Sequence, residues 1–173
     1  AYCNENNKAS SSVLIKSGFK KDGYVYMIGT QTGRDSNAKL ARFHETDIEN
    51  KTAYEYWNAF TNQWIKGNEN EATVLIEDKV GELSFIYNET HKKWIIAYFN
   101  ADRYNITMRT AEDITGPWSE PYELANGREY AQLYGSYIHP LSVTGDNLYF
   151  TMSMWMPYNV FLMKAELADM GEF

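Results

Sequence analysis

Few side chains in this sequence have both the chemistry and the placement for acid–base work, and Glu82 leads them. It stands between Gly81 and Leu83, at the start of a strand-like run in which Leu83, Phe85 and Tyr87 alternate with Glu82 and Ser84. A carboxylate at the mouth of an inner strand is partly desolvated, which raises its pKa toward the range of a general acid. The alternative is a structural glutamate that caps neighbouring backbone or pairs with Arg103 or Arg109. His139 precedes Pro140, which forces it into extended backbone and fixes its aim. It reads either as a second polar group at the mouth of an inner strand or as a hydrogen-bonded core histidine. Arg34 and Arg103, with Asn100 and Asp102 beside the latter, suit the binding of hydroxyls or carboxylates. Trp155 and Tyr158 suit stacking on sugar rings, or equally act as lids over a core, and Tyr134 is a further substrate-binding candidate. Other chemistry is poorly supplied. The stretch "GTQTG" from Gly29 lacks the lysine and helix of a phosphate loop. His44, His91 and His139 have no ligand spacing, so no metal site is expected. No serine sits in a nucleophile elbow, and nothing calls for a cofactor.

These residues need a scaffold, and the scaffold is legible as repeated short strands. The stretch Val80–Leu124 holds four runs, Glu82–Tyr87, Trp94–Phe99, Ile106–Thr110 and Trp118–Leu124, separated by short polar connections. The first alternates with the period of a strand, and the second is apolar on both faces, as for a strand covered on both sides. Strands in sequence order with tight connections make an antiparallel meander. The unit recurs. Second strands read "YVYMIGT", "WIIAYFN" and "LYFTMSM"; third strands read "KLARF", "ITMRT" and "VFLMKAEL", each with a basic residue, Arg42, Arg109 or Lys164. A repeat with a period of roughly fifty to seventy residues indicates propeller blades. The predicted fold is therefore all-β: a β-propeller of four-stranded antiparallel blades at residues 13–66, 72–124 and 134–167. In the first blade, Val13–Phe19 is the expected first strand and Tyr54–Ile65 a single outer strand. The third blade lacks a clear fourth strand. Antiparallel geometry places Glu82, the run from Tyr134 to His139, and the loops carrying Arg34, Asn100, Asp102, Arg103, Trp155 and Tyr158 on one rim.

Length and charge narrow the field. The 173 residues suffice for one domain with a real core. A net charge of −7 argues against nucleic acid as a partner. No apolar run reaches the length of about 18 residues that a membrane-spanning helix needs. The single cysteine, Cys3, excludes an internal disulfide. Three blades cannot close a ring, since propellers have about four to eight. The chain is therefore expected to be part of something longer or to pair with another chain.

Three segments, "GELSFIYNETHKKWIIAY", "MRTAEDITGPWSEPYEL" and "YGSYIHPLSVTGDNLYFTMSMWMPYNVFLMKAEL", with "YEYWN" in the first blade, resemble a bacterial domain-of-unknown-function family. That family is related to the arabinanase, levansucrase and invertase superfamily of five-bladed propellers, and some members look like endo-acting D-arabinanases. The resemblance covers about Val13 to Leu167. It implies an extracellular or cell-surface glycoside hydrolase that cleaves a furanose polysaccharide with a pair of carboxylates, and three blades of an expected five. It also implies that the catalytic aspartates lie in N-terminal blades with no counterpart here, so that this chain alone is inactive. Glu82 matches the family's "GE" at a blade start as a candidate acid or substrate ligand; Tyr134, His139, Trp155 and Tyr158 match family positions. The rival expectation is a non-catalytic propeller that binds carbohydrate or a protein.

Overall fold

A computed structural model describes residues 19–21 and 23–170. Val13–Gly18 of the expected first strand, and Cys3, lie outside them. The described residues form twelve strands in three antiparallel sheets and no α-helix, only short 3-10 turns. They divide into two compact units. One is built on the first sheet. The other runs from Ile76 onward and also takes in the loop Thr30–Asn37.

The first sheet runs in chain order through β1 (Phe19–Lys21), β2 (Tyr24–Gly29), β3 (Lys39–His44), β4 (Glu55–Asn58) and β5 (Gln63–Lys66). Its interior is Val25, Ile28, Leu40 and Phe43, with Phe43 stacked on Tyr54 at 4.5 Å. Arg42 bonds Glu55 at 2.6 Å, and its guanidinium lies 4.1 Å from the Tyr24 ring and 4.2 Å from the Trp64 ring. The sequence predicts a single outer strand over Tyr54–Ile65, and the structure corrects this to a hairpin. Trp57 pairs with Trp64 across it, and the chain reverses where Asn62 adopts a φ of 55° and Asn58 Oδ1 accepts the Thr61 amide at 3.0 Å. Asparagine tolerates that left-handed conformation, while the apolar Phe60 at the tip, 94% exposed, hides the turn from a reading of pattern alone.

The second sheet is a four-stranded meander, β6 (Val80–Asn88), β7 (Lys93–Asn100), β8 (Asn105–Ala111) and β9 (Tyr122–Asn126). The third has β10 (Leu133–Ile138), β11 (Asn147–Met154) and β12 (Asn159–Glu166), without a fourth strand among the described residues. These two sheets share a core. Ile95, Ala97, Phe99, Ile106 and Met108 of the second pack with Leu133, Ile138, Leu148, Phe150 and Met152 of the third, and Leu167 closes the cluster. Every residue from Trp94 to Asn100 is buried, as the two-sided apolar pattern requires. Each large side chain so buried contributes about 1.5–3 kcal/mol. At one end of the sheets Asn88 ties them together, donating from Nδ2 to the Ser142 carbonyl at 2.9 Å and the Gly145 carbonyl at 3.1 Å.

Candidate functional site

The opposite end of the second sheet carries the charged groups. Pairing of β6 with β7 is interrupted by a bulge between Val80 and Leu83, a device that bends a strand and re-aims its side chains. Gly81 sits inside it. A Cβ there would lie 3.1 Å from the Phe99 ring and from the Phe99 carbonyl oxygen, and 3.4 Å from Cγ of Arg34. Lacking one, β6 lets both residues close on it. Glu82 follows directly. Arg34 Nε donates to Glu82 Oε1 at 3.1 Å, and Nη2 donates to the same oxygen. The guanidinium also lies 5.3 Å from the Phe99 ring centre and 5.9 Å from that of Tyr134, within cation–π range. The Arg34 loop is held by Val80 N–H donating to the Ser36 carbonyl at 3.1 Å and by Gln31 N–H donating to Ser36 Oγ at 3.0 Å.

Both side chains of this ion pair are 44% exposed. An exposed pair stabilises a fold by about 0–1 kcal/mol, so its effect is chiefly to fix two polar groups in position. The partner expected for Glu82 was Arg103 or Arg109; it is Arg34. An open carboxylate with one oxygen committed to arginine is arranged to accept hydrogen bonds from ligand hydroxyls.

Beside it lies a buried network that the sequence reading missed. Asp78, just before β6, accepts from Tyr98 Oη at 2.6 Å and Arg109 Nη2 at 2.9 Å on Oδ2, and from Asn100 Nδ2 at 2.8 Å on Oδ1. Arg109 Nε donates to Tyr98 Oη at 3.0 Å and Nη1 to the Ser119 carbonyl at 2.8 Å. The Asp78 side chain is 10% exposed and that of Arg109 14%. Burial alone would raise the Asp78 pKa; the bonds from Tyr98, Arg109 and Asn100 and the charge of Arg103 outweigh it and hold the carboxyl below its ordinary range. Burial, reinforced by the bond to Asp78, pushes Tyr98 well above an ordinary phenol. Asp78 is thus an ionised anchor rather than a proton donor. The available signal was a tyrosine inside an otherwise apolar strand with an arginine on the neighbouring one.

Asn100 joins this anchor to the next turn. Its Oδ1 accepts the amides of Asp102 and Arg103, each at 3.1 Å. Asp102 pairs with Lys79 at 2.7 Å, and Arg103 reaches to 3.9 Å from Asp78. Outward from Arg103 is a pocket of about 420 Å³ lined by Arg103, Tyr104, Glu123, Asn126, Gly127 and Arg128.

In the third sheet, Tyr134 lies at the start of β10, against Arg34. The turn holding Trp155 and Tyr158 joins β11 to β12 at the same end, where the Trp155 amide donates to the Gln132 carbonyl at 2.9 Å; both rings are exposed. His139 is a correction. The sequence reading put it on the rim with Tyr134, but it follows the far end of β10, where its amide bonds the Tyr149 carbonyl at 2.8 Å and its Nδ1 accepts the Leu141 amide at 3.2 Å. A strand rises about 3.3 Å per residue, so six strand residues carry His139 to the opposite edge. There it caps a 3-10 turn, Pro140–Val143. The structure thus joins Arg34, Glu82 and Tyr134, places Asn100, Asp102 and Arg103 in one adjoining turn, sets Trp155 and Tyr158 on the corresponding turn of the next sheet, and removes His139. Among the described residues no group of three or more His, Cys, Asp or Glu is placed to hold a metal ion, and no helix is long and apolar enough to cross a membrane.

Comparison with known proteins adds three findings. The family model described as "Domain of unknown function (DUF4185)" matches residues 3–164. The notoamide biosynthesis cluster protein J of Aspergillus sp. (strain MF297-2) is 34% identical over 122 residues, and an uncharacterized 35.9 kDa protein in the asd 3' region of Mycolicibacterium smegmatis is 29% identical over 149. The matches take in 67% and 77% of this chain but only 32% and 43% of those proteins, so the chain spans well under half the length of the curated relatives it matches. Among solved structures, "The GH43, Beta 1,3 Galactosidase, BT0265" superposes with a TM-score of 0.54 at 14% identity, covering 88% of this chain and 32% of that one. At that identity the likeness concerns the fold: the three antiparallel sheets are blades of a β-propeller.

Proposed function

Since this chain belongs to the DUF4185 family and folds as propeller blades, we propose that it is part of a carbohydrate-active, glycoside-hydrolase-like propeller whose substrate-facing rim includes Arg34, Glu82 and Tyr134. The observation that carries this reading is the Arg34–Glu82 pair beside a β-bulge, with the guanidinium 5.9 Å from the Tyr134 ring and backed by the buried Phe99. Planar charged groups bind sugar diols by paired hydrogen bonds, and aromatic faces take the apolar side of a sugar ring. The name of the structural neighbour, a β-1,3-galactosidase, points to the same ligand class. The finer reading is an extracellular or cell-surface hydrolase of a furanose, arabinan-like polysaccharide, five-bladed when complete, with its catalytic carboxylates supplied by blades outside this chain. Glu82, exposed and bound by arginine, acts here as a substrate ligand that orients the sugar for those carboxylates. Asp102 and Arg103, held in place by the buried Asn100, extend the binding rim outward, and Trp155 and Tyr158 supply stacking surfaces on the next blade.

Hydrolysis of arabinan and related polysaccharides by the full-length protein, with and without Glu82→Gln, tests the reading. A rise in KM with much of kcat retained supports the ligand role. A collapse of kcat with binding intact would make Glu82 the general acid, and unchanged kinetics would leave it a structural residue. The 173-residue chain alone is expected to bind but not to cleave. A non-catalytic carbohydrate-binding or protein-interaction propeller is the rival, and absence of turnover on every polysaccharide in the full-length protein would favour it.

A further inference from the structure

The pocket beyond Arg103 has features that the rim does not explain. Its floor is a close approach of ring to backbone: a Cβ on Gly127 would fall 2.0 Å from the Tyr104 ring, so the ring occupies space that any other residue at 127 would fill. Tyr104 has a φ of 51°, a left-handed conformation that is costly for a bulky residue. It is locked by the Gly127 amide, which donates to the Tyr104 carbonyl at 2.9 Å, and by a T-shaped contact with Phe99 at 6.0 Å. The ring is nevertheless 42% exposed. A strained, fixed and accessible aromatic ring is a preorganised platform.

The charges around it are unbalanced. Glu123 Oε2 accepts from Asn105 Nδ2 at 2.6 Å and its Oε1 from Asn126 Nδ2 at 3.0 Å, so the pocket's carboxylate is engaged by two amides and not by either arginine. Asn126 Oδ1 in turn accepts the Arg128 amide at 3.0 Å, which fixes where that residue departs from the turn. The Arg128 side chain has no ion pair among the described residues, and the acid nearest Arg103, Asp78 at 3.9 Å, is already bonded by Arg109. Two arginines thus line one pocket with an exposed ring, in a chain whose net charge is −7. At about 420 Å³ the space is at the lower end of what small-molecule sites use. It lies at the β8–β9 end of the same rim, two to three strand spacings of about 4.8 Å from Glu82.

We propose that this pocket is a subsite for a sugar residue bearing a negative charge, carboxylate or phosphate, with Tyr104 under the ring and Arg103 and Arg128 on the acid group. The proposal rests on the carbohydrate reading above and assigns it a substrate class. Arginine fits such a group because its planar donors match the oxygens of carboxylate and phosphate in pairs.

The test is calorimetric or NMR titration of the full-length protein with tetragalacturonate, glucose 6-phosphate and neutral arabinotetraose. The expected result is a preference of about tenfold for at least one acidic probe over the neutral one, shrinking as salt is raised; which acidic probe wins separates the carboxylate from the phosphate source. Arg128→Gln removes the preference while leaving neutral binding in place. Gly127→Ala weakens every probe that seats on Tyr104, with circular dichroism showing the fold retained. Equal affinity for acidic and neutral probes, no acidic binding, or a preference that survives Arg128→Gln overturns the proposal. Its failure is separable from failure of the central reading, which turns on neutral-substrate kinetics at Glu82.

Discussion

The second and third sheets share one core but differ in what they leave unsatisfied. In the second, the third-strand base Arg109 is 14% exposed and bonded to Asp78, Tyr98 and Ser119, and a fourth strand covers β8. In the third, the corresponding base, Lys164, is half exposed, and its acid partner is Glu166 on its own strand, at 3.5 Å. The strand that carries it, β12, is an edge along which Val160, Phe161 and Leu162 are all exposed, Leu162 at 60%. Natural sheets cover or charge such edges. Among the described residues the same three-part meander therefore gives one finished sheet, with its polar groups locked, and one with an unpaired side. Polar groups that must be held steady are better founded on the first, and that is where Glu82 and Asn100 stand.

The contrast can be pressed experimentally, beginning with the largest effect. Asp78→Ala leaves Arg109 buried without its carboxylate; removal of one partner of a buried pair costs about 3–5 kcal/mol, read as a fall in the urea midpoint. Asp78→Asn sharpens this through pH. Because the folded pKa of Asp78 is depressed, its contribution is present above the unfolded value of about 4 and is lost as pH falls through the folded one. The acid limb of the stability profile should flatten in the Asn variant, and an unchanged limb would assign acid sensitivity elsewhere. Next come the two faces of the third sheet. Phe150→Ala, in the shared core, should cost about 3–5 kcal/mol, and Leu162→Ala, on the open edge, within about 0.5 kcal/mol. Comparable losses would mean that β12 is covered in solution. Hydrogen exchange reads the same difference amide by amide: β7 should exchange only through global unfolding, and the outward amides of β12 through local opening. The smallest effect belongs to the exposed pair, where Glu82→Gln should change stability by less than about 1 kcal/mol while altering ligand binding.

Much of this fold could be read in the sequence because the signals are local. The alternation of Leu83, Phe85 and Tyr87 and the continuous apolar run of β7 predict strands at their observed places. The hairpin at Asn58–Gln63 escaped because an apolar residue sits at its tip. The site is harder, since its contacts are distant in sequence. Arg34 and Glu82 can each be picked out by type, yet they lie 48 positions apart, and it takes the bulge at Gly81 and the Val80–Ser36 bond to bring them together. Asp78 stands in what looks like an ordinary polar link, and nothing nearby announces that Tyr98 and Arg109 will converge on it. His139 was misplaced for a simpler reason: a motif treated as one point occupies the whole length of a strand.

The loop Thr30–Asn37 gives the architecture an unusual division of labour. It is the connection within one hairpin of the first sheet, yet it keeps company with the second. A protease cut or a gene truncation near Ile76 would release both later sheets whole, with every strand intact, and strip them of the cation that grips Glu82. Loss of the proposed sugar affinity in such a piece would then report a missing hand rather than a broken frame, and adding back a peptide of the loop is the way to tell the two apart.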